Sequence, residues 1–266
     1  GGQRHYSNLA IATALTLRVV FHPPFRQAEG FLNSILRLMG LDLAAPDHTT
    51  LSRRNKDVDV PRLARNHEGP ILPIVDSTGL KVLGDGEWHH RKHKTKTRRI
   101  WRKLHIGVDS GGFIVASVLT CSGAGDAVQV PALLDQVDEK IECSTGDGGY
   151  DTRGVYDAIA GHQDEPVKVV IPPRKGAARS KTSSRAVAWR NENVDEMASL
   201  GRRRWKKESG YHQQGRAENS FYRYKRILGG RLRAINAESQ KRETLIGRVV
   251  LNRMSELGMP KSYPIG

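Results

Sequence analysis

The sequence predicts an α/β protein: strands and a hairpin alternating with helices, preceded by a small helical region. Three observations support this. Apolar residues recur at helical spacing near the start of the chain. From residue 71 onward, short runs rich in β-formers alternate with helical stretches, and two of those runs flank a turn rich in glycine, as a hairpin requires. The boundary is expected near residue 66, with the helical part over 1–66 and the sheet-bearing part over 67–260.

Residues 6–21 carry apolar side chains around most of a helical circumference, which describes a helix packed on several sides. Pro23 and Pro24 open a second helix, in which Phe25, Phe31, Leu32, Ile35, Leu36 and Met39 keep the spacing until Gly40 closes it. Asp47 is placed to N-cap a short third helix whose exposed side would show Thr49, Thr50, Arg53 and Arg54. Two readings stay open for these helices: a helix-turn-helix-like reader of DNA, or a helical subdomain that props the sheet.

Ile71, Leu72, Ile74 and Val75 form the apolar run of a buried strand, with Pro73 tolerable near its start, and the run ends in one carboxylate, Asp76. An acid there must be paired, hydrogen-bonded or bound to a cation. The local alternative is an Asx-type bond into Ser77-Thr78-Gly79. Between Arg91 and Lys103, eight of thirteen residues are Lys or Arg, among them Arg98, Arg99, Arg102 and Lys103. His89, His90 and His93 do not make a convincing metal site amid so much positive charge. A loop that contacts phosphates suits the composition better, with Trp88 and Trp101 able to pack or stack beside it.

Leu104 to Thr120 reads as a hairpin, with Asp109 making a local backbone bond in the turn. Asp126 is expected to cap a helix carrying Val130, Leu133, Leu134 and Val137 on one face. Asp147 lies among Gly146, Gly148 and Gly149, which allow close approach at a strand end. Asp151 is expected to cap the next helix, and Val167 to Ile171 form a strand stopped by Pro172-Pro173. Residues 174–210, basic and poor in apolar anchors, are expected to form a long connection that orders on a partner. Tyr211 to Leu228 reads as a helix in which Glu218 and Lys225 project together.

Lys and Arg number 43 against 28 Asp and Glu, a net charge of +15 spread along the whole chain, which is the footprint of a polyanionic partner. No apolar stretch approaches the ~18 residues of a membrane span. Two cysteines, Cys121 and Cys143, are too few for a disulfide framework or a Cys-based zinc site, and a reducing cytoplasm fits. The start at Gly1-Gly2, without Met, reads as a chain lacking its natural N-terminus.

With their neighbours, Asp76, Asp147 and Glu218 resemble the DDE transposases of bacterial insertion sequences, specifically the IS-five-like group, over nearly the whole chain. The resemblance rests on the VDSTGLKV block around Asp76, the GDGGYDT block around Asp147, and a signature of Tyr, two residues, Arg, three residues, Glu, six residues, Lys. Tyr211, Gln214, Glu218 and Lys225 occupy that signature, so Gln stands where the family usually shows Arg. Either Arg216 substitutes for the missing cation or donor DNA is bound less well.

The resemblance implies an RNase H-like mixed sheet with helices on both faces. In it Asp76 ends the first strand, Asp147 ends the fourth, and Glu218 lies on a late helix. It further implies that Asp76, Asp147 and Glu218 hold two Mg²⁺ ions, with Mn²⁺ able to substitute, and that Asp76 bridges them. Such a pair, about 3.5 to 4 Å apart, stabilises charge on both the attacking and the leaving oxygen of a phosphodiester. Water would free a 3′-hydroxyl at the transposon end, and that hydroxyl would attack target DNA. Lys225 and Arg216 would hold backbone phosphates, with Tyr211 packing or hydrogen-bonding beside them. The implied partners are double-stranded DNA and further copies of the chain assembled on it, in the cytoplasm at a bacterial nucleoid. Two alternatives remain: a Mg²⁺-dependent nuclease without strand transfer, and a remnant that only binds DNA.

Overall fold

A computed structural model of the protein describes residues 5–60, 73–82 and 100–258. In chain order the elements are α1 (Asn8–Phe21), α2 (Phe25–Leu38), α3 (His48–Arg54), β1 (Ile74–Val82), β2 (Trp101–Val108), β3 (Ile114–Cys121), α4 (Val130–Leu134) and β4 (Cys143–Thr145). There follow α5 (Arg153–His162), β5 (Lys168–Val170), α6 (Arg185–Leu200), α7 (Arg202–Glu208), α8 (Gly215–Ile227), β6 (Arg231–Leu232) and α9 (Ala237–Leu257). The sheet runs β3-β2-β1-β4-β5, and β6 pairs with the last two residues of β1. Strand β2 is antiparallel to β3, whereas β1, β4 and β5 are mutually parallel. This mixed sheet with its helices agrees with the RNase H-like fold that the resemblance implies.

The chain divides into two units, one of residues 1–64, 81–100 and 223–266, the other of 65–80 and 101–222. The division differs from the single boundary expected near residue 66. Residues 223–266 cluster with the N-terminal helices because α9 packs on α1. In that unit Ser7 caps α1 by accepting the Ala10 N–H, and Asp47 caps α3 by accepting the N–H groups of Thr49 and Thr50, as its sequence position predicts. Gly40 follows α2 with a φ of 69°, and the Leu41 N–H reaches back to the Leu36 carbonyl, the closure that favours glycine there. Glu243 of α9 accepts the backbone N–H groups of Arg233 and Ala234, so the chain entering α9 is held by a buried carboxylate.

The other unit has its own core, in which Val75 of β1, Ala116 of β3, Leu133 and Leu134 of α4, Tyr156 and Ile159 of α5 and Val169 of β5 pack together. The hairpin forms as expected: the Asp109 carboxylate accepts the N–H groups of Gly111 and Phe113, and Gly112 turns the chain at a φ of 84°.

Four local expectations are corrected. Asp76 does not end β1; it is the third of nine residues, and the strand continues through Ser77-Thr78-Gly79 to pair Lys81 and Val82 with Arg231 and Leu232. The helix expected after Asp126 shrinks to a 3₁₀ turn and the five residues of α4, and Asp126 makes no cap bond. Asp151 does not cap α5, since Thr152 holds that position. The stretch 174–210 is no long connection, because α6 and α7 occupy most of it. Its few apolar anchors are well used: Ala186 and Val187 are buried and Trp205 is fully enclosed. The buried Asn193 donates to the Val169 carbonyl at 2.8 Å, tying α6 to β5.

Candidate active site

Strand register brings the first two acids level. Ile74 of β1 pairs with Thr145 of β4 in parallel, and Asp76 and Asp147 each stand two residues further on. Asp76 therefore lies within β1 and Asp147 just past the end of the adjacent parallel β4, at equal chain distance from the same paired residues. The chain leaves the sheet after Thr145, and Asp147 begins a 3₁₀ turn by accepting the Gly149 N–H at 2.7 Å. A Cβ on Gly149 would lie 2.8 Å from Asp147 Oδ1, so glycine there keeps the carboxylate where it is.

Glu218 comes from the other side of the chain. A 3₁₀ turn of Tyr211–Gln214 leads into α8, in which Ala217, Phe221, Tyr224 and Leu228 are buried at helical spacing. The same spacing leaves Glu218 exposed in the first turn and Lys225 exposed two turns later. A carboxylate in a first helical turn also benefits from the positive end of the helix dipole. The lead-in is fixed by Gln214, which is buried and donates to the Val75 carbonyl at 3.3 Å, next to Asp76. Gln214 therefore braces the site from inside.

Electrostatics tie the three acids together. Burial first, and then the charges of Asp147, Glu218 and Asp126, raise the Asp76 pKa from 3.8 to about 6, against the opposing bond from the Ser77 N–H. Tyr211 is half-buried and its phenol is pushed up by burial and by Asp147, Glu218 and Asp76, with Arg202 opposing. Burial and the same neighbourhood of acids raise Tyr150 as well. The acids share one field without forming a closed cage: among the described residues, no group of three or more His, Cys, Asp or Glu is gathered as a metal site. The donor set still fits a hard divalent cation, since it offers carboxylate oxygens only and a partly buried Asp76 whose charge such an ion would stabilise.

A fourth acid belongs to this neighbourhood and was read from sequence only as a helix cap. Asp126 Oδ1 accepts from Ser77 Oγ at 2.8 Å and from Lys103 Nζ at 3.0 Å, and lies 3.5 Å from Nδ1 of the buried His105. Its signal was present in Gly123-Ala124-Gly125 just before it, the same glycine-flanked placement after a strand that marks Asp147.

The expected phosphate contacts fare differently. Lys103 is engaged by Asp126 and by the Ala124 carbonyl. Arg102 lies on β2 opposite Cys121. Arg216 is exposed and donates from Nε to Gln213 Oε1 at 2.6 Å. Tyr211 carries Lys206 Nζ 4.6 Å from its ring centre. Arg98, Arg99, Trp88 and the three histidines 89, 90 and 93 lie outside the described residues.

Comparison with known families gives a match over most of the chain: a family described as a transposase DDE domain matches residues 68–253, and a second with the same description matches residues 1–85.

Proposed function

The chain belongs to the DDE transposases, and on that basis we infer that it cuts DNA at the ends of an IS-five-like bacterial insertion sequence and joins the freed ends to target DNA, using Mg²⁺. The observation that supports this reading best is the pairing of β1 with β4, since Asp76 and Asp147 each follow the Ile74–Thr145 pair by two residues, together with the charge of Glu218 acting on Asp76.

In this reading Asp76, Asp147 and Glu218 would hold two divalent ions, Mg²⁺ with Mn²⁺ able to replace it. Such ions activate the attacking oxygen and neutralise charge on the leaving one. Each acid would act in its ionised form, and a bound dication would favour that form at Asp76, whose pKa burial raises in the metal-free chain. In the first step a water oxygen bonds to phosphorus as the bond to the 3′-oxygen breaks, and the departing oxygen takes up a proton. In the second, that 3′-hydroxyl bonds to a target phosphorus, expels a target 3′-oxygen and loses its proton. Lys225 and Arg216 neutralise flanking phosphates, while Tyr211, with Lys206 over its ring, orients the strand. Further copies of the chain assemble on the DNA.

A duplex bearing the repeats that flank the protein's own gene tests the reading, with the nicked and joined products counted separately. Mg²⁺-dependent nicking followed by joining is expected. Nicking without joining would identify a nuclease. Binding without any nicking would identify a remnant, a reading that the inward-facing Gln214 favours because it leaves one cation fewer at the site.

A further inference from the structure

Next to the turn that follows Asp147, the loop after β5 and helices α6 and α7 line an open cleft of about 430 Å³, with Arg174, Lys175 and Arg202 on its charged side and Val194, Met197 and Ala198 on its apolar side. No carboxylate lines it. Neighbouring arginines are neutralised, Arg179 by Asp195 and Arg190 by Asp151. By contrast, among the described residues Arg174, Lys175 and Arg202 form no ion pair.

Two of the three cations are aimed by backbone. Arg174 donates from Nε to the Gly148 carbonyl at 3.2 Å and from Nη2 to the Gly149 carbonyl at 2.9 Å, directly after Asp147. Arg202 donates from Nη2 to the Pro173 carbonyl at 2.9 Å. A guanidinium has five N–H donors, so both keep donors for a ligand while their planes are fixed. The charge of Arg202 is felt by Tyr211 together with the charges of all three acids.

We propose that the cleft lined by Arg174, Lys175 and Arg202 is a phosphate-binding subsite, which holds one backbone phosphate of the DNA strand running past Asp147. Three positive charges around one cleft, two of them oriented by backbone carbonyls, suit a phosphodiester. The subsite supplies from α7 and the β5 loop a positive charge that Gln214 does not supply. This rests on the reading of the chain as a DNA-processing enzyme, and its test is independent of catalysis.

The test is binding of the full chain to a fluorescent flanking-repeat duplex by anisotropy, in EDTA so that no metal bridges the acids to DNA. Lys175→Ala and Arg202→Ala should each lower the slope of log affinity against log salt by about one unit. That corresponds to about tenfold weaker binding near 0.1 M salt. Lys175 donates to no acceptor among the described residues, so its variant has no internal bond to lose. Duplexes carrying single neutral methylphosphonates should then reveal one position at which the wild type weakens and the Lys175→Ala, Arg202→Ala double variant does not weaken further. Additive losses at every position, or slopes unchanged in both single variants, would overturn the subsite. If the coupling is found but Mg²⁺ yields no cleavage, the subsite stands and the catalytic reading fails.

Discussion

Replacing Asp76 with Asn should make the protein more stable while abolishing cleavage. Burial and three neighbouring acids raise the carboxyl pKa from 3.8 to about 6, so its ionised form is disfavoured in the folded chain. A rise of that size corresponds to roughly 3 kcal/mol, at about 1.4 kcal/mol for each tenfold change in proton affinity. Asp76 is only partly buried, so solvent screening reduces this to about 1.5 kcal/mol. That predicts a rise in Tm of about 3 to 6 °C at pH 7. Asn keeps an acceptor for the Ser77 N–H, so no bond is lost. An acid whose folded pKa exceeds its unfolded value holds its proton more tightly in the native state. Its unfavourable contribution is therefore absent below about pH 4, develops as pH rises through 6, and is complete at pH 7. Urea unfolding of wild type and Asp76→Asn at pH 4 and pH 7 should show a difference only at the higher pH. A variant no more stable than wild type at pH 7, or a gain that persists undiminished at pH 4, would refute the electrostatic account of the site.

Gly149→Ala should leave Tm within a few degrees but strongly reduce cleavage, because the new Cβ would sit 2.8 Å from Asp147 Oδ1 and displace that carboxylate. Steady-state cleavage beside a melting curve checks it. Asp151→Ala should lower stability by about 3 kcal/mol, since it strands Arg190 after removing a fully buried partner held at 2.8 Å. Chemical denaturation measures the loss. With a net charge of +15, DNA affinity should fall about 10³-fold or more between 50 and 200 mM salt if some six phosphates are neutralised. A flat titration would contradict that.

How much of this was legible in the sequence depended on how local the cause was. The caps at Asp47 and Gly40 and the turn at Asp109 are decided within a few residues, and each forms as its sequence implies. The continuation of β1 past Asp76 is decided by distant Arg231 and Leu232, so Ser77-Thr78-Gly79 looks like a turn although it is strand. Asp126 and Asp151 look like caps for the same reason: their partners, Lys103 and Arg190, lie far along the chain. Composition marked residues 174–210 as unanchored, yet one enclosed Trp205 and one buried Asn193 bonding a strand carbonyl suffice to seat two helices. At the proposed site, the choice of Asp76, Asp147 and Glu218 rests on their flanking residues. The inward turn of Gln214 and the engagement of Lys103 were not legible there, because both depend on the fold.

Everything proposed for the site requires that the charge of Glu218, and not its size or hydrogen bonding, makes catalysis possible together with Asp76 and Asp147. Glu218→Gln isolates that charge, because it keeps shape and hydrogen-bonding capacity on an exposed position of α8. The quantity to measure is the rate of Mg²⁺-dependent strand cleavage at saturating flanking-repeat duplex, with affinity in EDTA recorded in parallel. The rate should fall by about 10³-fold or more, as expected when a charge acting directly on the reacting centre is removed, with affinity unchanged. Cleavage by Glu218→Gln at the wild-type rate would contradict the assignment.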